Sequence, residues 1–495
     1  MEHTITPAQM KELEARFMRE QGVPGILLME QAARAVCAAL EELVPGGRVL
    51  FLCGPGNNGG DGYAAARLWR ERGGRAILWE LTDTARGDAL TNRTLALLQG
   101  IVPEGIPAEG PLPECDAVCD ALFGTGLSRA LEGPAAMIVD RVNASGLPVV
   151  AVDIPSGLDG TTGHVLGRAV RATVTVTFHR VKQGLVLHES ASYVGELRVA
   201  PILIPKGWGD AEGLRCLSEE DLPGIIPARD PGAHKGTCGR VVLLVGSEGM
   251  AGAAALCARA AIRAGAGLTT ILTRRTQLPI LQALVPGATC RVLPEEGGCL
   301  TDAAIHVAEE ALKGAASAAV GCGLSRSKDT LPLLEVFRRA ECPVVWDADA
   351  LNLLSEHETL LPLPAKDVAT PHPGEAARLL GCEGREVTAD TLAALDRLRG
   401  RLGCHVLLKG ARTVMTDGRA RAVNRVGSPA MAKGGSGDVL TGILAGLLAQ
   451  RLLPDTLTVM QCAALIHGMA GKSAAKEHGV ESVLPEELCA AIRVR

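Results

Sequence analysis

The sequence predicts an α/β protein of two domains, each built on a parallel sheet. Short aliphatic runs alternate with Ala- and Leu-rich helical segments along the chain, the signature of parallel α/β architecture. At 495 residues, 47% of them hydrophobic, the chain exceeds what one core holds, since single cores stop growing near about 250–300 residues. A stretch dense in Gly, Pro and acids, residues 205–239, carries no sustained periodicity and divides two such series. The expected organisation is a first domain over 1–211, a connecting region over 212–235 and a second domain over 236–495.

The elements follow in order. Thr6 before Pro7, with Met10, Leu13 and Phe17 at helical spacing, predicts an opening helix. Strands are expected at VLFLC, AILWEL, AVCDALF, PVVAVDIP and TVTVTF, most of them running into loops rich in Gly, Asp, Ser or Pro. RVVLLVGS opens the second series, followed by LTTILT, AAVGCG, PVVWDADA, DVATPHP and HVLLKGA. AKGGSGDVLTGILAGLLAQ reads as a Gly-rich turn and a helix from about Asp438, with Leu440, Leu444 and Leu447 as its apolar stripe. Gly442 and Gly446 would let that helix lie close against a neighbour.

Composition removes several classes. A net charge of −5 with both signs interspersed argues against a nucleic-acid surface, and 2% aromatics leave few stacking platforms. No apolar run reaches the roughly 20 residues that cross a bilayer; the richest, 250–272, is interrupted by Arg259 and Arg263. The first residues lack the basic-then-apolar layout of a secretory signal, so a cytoplasmic setting is expected. Fifteen cysteines are scattered singly, Cys115 and Cys119 being the nearest pair, which predicts reduced core thiols rather than disulfides or zinc ligands.

GPGNNGGDG (54–62) poses the first chemical question. Gly54, Gly56 and Gly59 satisfy G-x-G-x-x-G, and Glu80 ends the next strand where a ribose-binding acid would stand, so a dehydrogenase is one reading. Asn57, Asn58 and Asp61 weaken it, because a pyrophosphate loop chiefly needs backbone N–H groups and an Asp beside a diphosphate is unfavourable. Their oxygens suit hydroxyls, amides or a monovalent cation. Later strands end alike: Asp120 before a Gly loop, Asp153 before Ser156, and Lys182 beyond TVTF. One such turn means little, since Gly, Asp and Ser are common turn residues. Three at corresponding strand ends point to a site.

The second question is MAKGGSGDVLTG (431–442). Backbone N–H groups of 434–438 would face an anion, aided by the helix dipole, with Asp438 at the mouth. An N-cap role explains the Asp but not the glycines around it. An acid beside a phosphate site can take a proton from a hydroxyl as a phosphoryl group reaches it. Lys409 and Arg412 supply candidate positive charge. Asp347, Asp349 and Asn352 form a polar strand end, and His372 lies in a rigid turn between two prolines. Gly471-Lys472-Ser473 lacks the earlier glycine of a phosphate loop, and Ser325-x-x-Lys328 lacks the partner motifs of a lactamase.

GPGNNGGDG, DALFGTGL and VDIPSGLDG, followed by GSEGMAGAAALCARAAIRAGAGL, GCGL, DADALN, TPHPGE, KGAR and GGSGDVLTGILAGLLAQ, resemble in this order the bifunctional NAD(P)H-hydrate repair enzymes across nearly the whole chain. The resemblance implies a Rossmann-like three-layer epimerase domain joined to a ribokinase-like ADP-dependent dehydratase domain. It implies that Asn57, Asn58, Gly59, Gly60, Asp61, Gly124, Thr125, Gly126, Leu127, Ser128, Arg129, Ala130 and Asp153 contact the hydrated nucleotide, and that Asn58, Asp120 and Ser156 hold K⁺. In the second domain Ala253, Gly323, His372 and Asp438 would contact the hydrate. Lys409, Gly410, Ala411, Arg412, Thr413 and Gly437 would bind ADP with Mg²⁺. Asp438 and Asp153 would be the catalytic groups, NADHX, NADPHX and ADP the small-molecule partners, and a homo-oligomer the assembly. An ordinary small-molecule kinase of the ribokinase class is the alternative. Two departures stand out: His179-Arg180 where the family commonly has Gly, and Gly427-Ser428-Pro429 where it commonly has Asn.

Overall fold

A computed structural model describes residues 2–209 and 213–495, in two compact units, Glu2–Leu214 and Arg215–Arg495. The boundary expected at 211–212 lies outside the described residues. Of the stretch expected to connect the domains, Arg215–Cys216 is a strand, and Leu217, Leu222 and Ile226 are buried in the second unit's core.

The first unit opens with α1 (Pro7–Gln21), started by a reciprocal cap: Gln9 N donates to Thr6 Oγ1 at 3.3 Å and Thr6 N to Gln9 Oε1 at 2.9 Å. The elements α2 (Gly25–Leu43), β1 (Arg48–Cys53), α3 (Asn57–Glu71), β2 (Arg75–Glu80), α4 (Gly87–Leu98), β3 (Glu104–Gly105), β4 (Ala117–Ala121), α5 (Gly133–Ala144), β5 (Val149–Val152), β6 (Val174–Phe178) and β7 (Glu196–Ala200) follow. All seven strands are parallel, in the order β3-β2-β1-β4-β5-β6-β7. Alternation across the pleat makes three layers. Val49, Phe51 and Cys53 join the core under α1–α3, while Leu50 and Leu52 join Ile138, Val139 and Val142 of α5. The order reverses between β1 and β4, the crevice where such sheets take ligands.

In the second unit, besides a short ribbon of Glu295–Glu296 and Cys299–Leu300, the strands of the main sheet include β8 (Arg215–Cys216), β9 (Arg240–Leu244), β10 (Leu268–Thr273), β11 (Thr289–Val292), β12 (Ser317–Val320), β13 (Val344–Trp346), β14 (Val368–Ala369), β15 (His405–Leu408), β16 (Thr413–Thr416) and β17 (Arg421–Asn424). Their order is β8-β17-β16-β15-β14-β13-β12-β9-β10-β11, with β16 antiparallel to both neighbours and the other pairs parallel. Among its helices, α6 (Ala251–Arg263), α7 (Ala348–Glu356), α8 (Pro373–Leu380), α9 (Ser436–Gln450) and α10 (Thr456–His478) matter for the site. A Cβ on Gly442 would lie 2.2 Å from Cys257 O and one on Gly446 2.6 Å from Ala261 O, so the two glycines bring α9 against α6. Gly471-Lys472-Ser473 lies inside α10, well away from any strand-to-helix turn.

Candidate active sites

In the first unit the residues expected as a loop, Asn57 to Asp61, are instead the opening turn of α3. Glycine disfavours helix, but packing overrides that propensity here. A Cβ on Gly59 would stand 1.9 Å from Gly54 O, so the chain can turn into a helix directly over β1 only without a side chain. Asn58 then faces the turn after β4: a Cβ on Gly124 would lie 2.9 Å from Asn58 Oδ1. Both amide atoms of Asn58 are buried without a hydrogen-bond partner, a state a native fold rarely tolerates without a ligand.

Beside it, at the reversal of strand order, Asp120 is fully buried. Ser156 donates to it twice, from Oγ at 2.6 Å and N at 2.8 Å. Burial pushes the Asp120 carboxyl up to about 6 against these hydrogen bonds. Asp153 follows β5 with φ of 65°, a left-handed conformation uncommon for a side chain bearing Cβ and characteristic of functional turns. Its Oδ1 accepts from Thr177 Oγ1 at 2.9 Å and pairs with Lys182 Nζ at 2.7 Å. Lys182 also donates to Phe178 O at 2.9 Å. His179 takes φ of 62°, a conformation that glycine adopts without strain, and Lys182 pairs with Asp153. Glu14 of α1 and Asp61 of α3 complete the charged cluster. Burial raises both carboxyls, with Lys182 opposing and Asp153 reinforcing the rise.

The segment Gly124 to Ala130 forms the turn after β4, mostly half-buried or exposed, where the loop opens above Asn58. Glu80, the acid expected of a dehydrogenase, is spent elsewhere. Arg93 grips both its oxygens at 2.7 and 2.8 Å, and Tyr63 Oη donates to it at 2.9 Å. It is a buried structural ion pair, and the ribose contact of a dinucleotide fold is missing.

The second site gathers at the carboxyl ends of β12 to β15. Asp347, buried to 1% exposure, is its hub. Lys409 Nζ lies 2.6 Å from Oδ1, which also accepts from Thr370 Oγ1 at 2.9 Å, and Thr441 Oγ1 donates to Oδ2 at 2.7 Å. Lys409 is 3.8 Å from Glu375 Oε2. Burial alone would lower its pKa, but Asp347 and Glu375 hold it above the usual lysine value. The lysine therefore enters the site already paired.

The helix expected from Asp438 begins two residues earlier, at Ser436, after Gly435 at φ of 95°. Lys433 ties the preceding turn down by donating to Glu481 O at 2.6 Å and Val483 O at 2.7 Å. Asp438 thus occupies the first turn of α9. Burial and the neighbouring Asp347 push its carboxyl up to about 6, with the Cys322 thiol and Lys409 opposing. Gly437 lies against Lys409: its Cβ would be 3.4 Å from Nζ.

His372 caps α8, its Nδ1 accepting from Gly374 N at 3.0 Å, and burial beside Lys409 and Arg378 lowers its pKa. Neutral imidazole remains half-exposed for a ligand. Gly323 and Ala253 pack together, a Cβ on the former falling 2.9 Å from that of the latter. Gly410 and Ala411 are exposed in the β15–β16 turn, closed by Gly410 N donating to Thr413 Oγ1 at 3.3 Å. Arg412 turns inward and donates to Arg425 O at 2.8 Å. Ser428 accepts from Ala430 N at 3.3 Å and caps a short turn. Asp347, Thr441 and Glu375 were not among the expected site residues. Of the three, Asp347 alone was legible, as part of the polar strand end that it forms with Asp349 and Asn352.

The two units thus define a class: an α/β protein with buried acids at the reversal point of one parallel sheet, and in the other unit a carboxylate in the first turn of a helix that follows a glycine-rich turn. Residues 241–493 match the family described as NAD(P)H-hydrate dehydratase, and residues 26–184 that described as YjeF-related protein N-terminus. The chain is 38% identical to the bifunctional NAD(P)H-hydrate repair enzyme Nnr of Moorella thermoacetica, over 98% of this chain and 95% of that one. It is 36% identical to the Escherichia coli enzyme of the same name, over 93% and 87%. The crystal structure of the Bacillus subtilis ADP/ATP-dependent NAD(P)H-hydrate dehydratase, co-crystallised with ATP and Mg²⁺, superposes with a TM-score of 0.50 at 29% identity, covering 57% of this chain and 97% of that one. A ribokinase-like protein of Enterococcus faecalis gives 0.50 at 30%, covering 57% and 94%. The chain belongs to the bifunctional NAD(P)H-hydrate repair enzyme family.

Proposed function

We propose that this chain restores hydrated NADH and NADPH: its first unit interconverts the R and S hydrates, and its second removes water from the S form at the expense of ADP. The observation that carries the reading is Asp438, a carboxylate raised to about 6 in the first turn of a helix whose N–H groups face the same space. A hydroxyl is a poor leaving group. Asp438 takes its proton as the terminal phosphoryl group of ADP is transferred to the oxygen, giving a phosphate ester and AMP. Expulsion of phosphate from C6, with the proton on the neighbouring ring carbon passing to the departing phosphate, then regenerates the dihydropyridine ring.

Gly437 and the N–H groups of α9 would hold the phosphates, with Lys409 to Thr413 along the nucleotide. Mg²⁺, carried in with the nucleotide, would neutralise phosphate charge. Lys409 pairs with Asp347 at 2.6 Å, and His372, Ala253 and Gly323 would line the hydrate pocket.

In the first unit Asp153 is the proton-transfer group and Lys182 its partner, above the 57–61 turn and the 124–130 loop. Asn58, Asp120 and Ser156 fit K⁺. The set is all oxygen, Asn58 Oδ1 is buried without a partner, and Asp120 supplies charge. When bound, such an ion would supply a fixed positive charge near the substrate phosphates. Fifteen cysteines scattered singly along the sequence support a reducing, cytoplasmic setting; among the described residues no helix is long and apolar enough to cross a membrane.

The test is incubation of the full chain with mixed R,S hydrate and ADP, following reduced-nicotinamide absorbance and free phosphate. Recovery of absorbance with stoichiometric phosphate is expected. A stable phosphorylated product would mark an ordinary kinase instead and overturn the proposal.

A further inference from the structure

We infer that Cys322, Asp347 and Asp438 form a binding site for a thiophilic divalent cation of the Zn²⁺ class, whose occupancy shuts the dehydratase unit. The inference rests on the reading of Asp438 as the base.

One ligand atom from each of the three residues lies within 4.8 Å of the others, the one such group among the described residues. They arrive from three separate elements: the turn after β12, the N-cap of α7 and the first turn of α9. The Cys322 and Asp347 side chains are buried, with Cys322 Sγ 3.8 Å from Asp347 Oδ2. A second thiol, Cys257 of α6, is buried in the same core cluster as Cys322 and helps raise its pKa.

Three protein ligands that include a thiol leave one tetrahedral position open, the arrangement of an accessible zinc site. The supporting shell is in place as well. Thr441 and Thr370 donate to the two oxygens of Asp347, and Lys409 fixes its plane, the outer contacts that orient a ligating carboxylate. The local charge favours a cation, since the four carboxyls of Asp347, Asp349, Glu375 and Asp438 outnumber the cations Lys409 and Arg378.

Sulfur decides which cation. Mg²⁺ prefers hard oxygen donors and leaves a thiol protonated, whereas Zn²⁺ and Cd²⁺ take the thiolate. Binding converts Cys–SH and M²⁺ into Cys–S–M⁺ and one released proton, with no change of oxidation state. The ion then holds the Asp438 oxygen that would otherwise accept the substrate proton.

The experiment titrates Cd²⁺ into the full chain, free of nucleotide, and reads the thiolate-to-metal charge-transfer absorption. Wild type, Cys322→Ser and Asp438→Asn are compared, so that cysteines common to all three cancel. Wild type should bind one equivalent that Cys322→Ser lacks and that Asp438→Asn holds at least about tenfold more weakly. With Mg²⁺–ADP and hydrate present, Zn²⁺ should inhibit wild type reversibly on chelation. Cys322→Ser, measured against its own metal-free rate, should need at least about tenfold more. Identical Cd²⁺ titrations in all three proteins overturn the site, even if Cys322→Ser is inactive. A Cys322-dependent equivalent in a protein that never dehydrates the hydrate upholds the site and sinks the functional reading alone.

Discussion

Lys182, exposed by only 1%, holds its Nζ 2.7 Å from Asp153 Oδ1 at the heart of the first unit's site. It opposes the rise that burial gives the Glu14 and Asp61 carboxyls. Lys182→Met leaves a buried carboxylate without its partner and should cost about 3–5 kcal/mol in chemical denaturation. The double variant Lys182→Met/Asp153→Asn should regain most of that stability yet still fail to consume R hydrate. Full R-hydrate consumption by either protein would remove the pair from the chemistry.

Asp438→Asn should cut dehydration by about 10²–10⁴, the range supplied by a positioned base. Binding of Mg²⁺–ADP, measured calorimetrically, should survive, because the phosphates are held by backbone N–H groups. Asp153→Asn should slow only the fraction that begins as R hydrate.

The pH dependence follows from Asp438. As a base it works ionised, so the rate should fall on the acid side with a midpoint near its raised value of about 6. The fold favours the protonated carboxyl, so stability is lost as pH climbs from the ordinary value of 3.8 through about 6. The Tm advantage of Asp438→Asn over wild type should therefore be small in acid and grow toward neutrality. An advantage that shrinks with rising pH would contradict the assignment.

Asp120 responds to a cation. Burial raises its carboxyl to about 6, and a bound cation would bring it down. KCl should raise the unfolding temperature of the first unit more than choline chloride at equal ionic strength. Asp120→Asn should erase the difference. Equal melting in both salts for wild type would remove K⁺ from the Asn58–Asp120–Ser156 set.

Helix contact controls the anion hole. Gly442→Ala forces a Cβ toward Cys257 O, 2.2 Å away, and should destabilise the second unit by about 1–3 kcal/mol. Gly400→Ala, where a Cβ meets nothing within 4 Å, should instead stabilise by about 0.5–1 kcal/mol. Denaturant midpoints of the pair compare them directly.

Much of this was legible in the chain itself. Period-two and period-3.6 patterns located the strands that position both sites, and the Thr6 cap and the close face of Gly442 and Gly446 were readable because their partners lie within a few residues or are any tight neighbour. The polar strand ends at Asp120, Asp153 and Asp347 were visible for the same reason. The antiparallel strands β16 and β17 were not anticipated, being four residues each with little alternation to mark them.

Partnership was decided only by the fold. Lys409 reaches Asp347 across 62 positions and Thr441 reaches it across 94, separations over which no periodicity carries information. Asn57 to Asp61 reads as a loop because glycine resists helix, and becomes helical only when Gly54 and Gly124 crowd it from outside. Glu80 looks like a ribose ligand until Arg93 and Tyr63 close on it. Local pattern determines where backbone hydrogen bonds run and which face is apolar; which charge neutralises which, and how far burial moves a carboxyl, depends on distances that exist only after the sheets have formed.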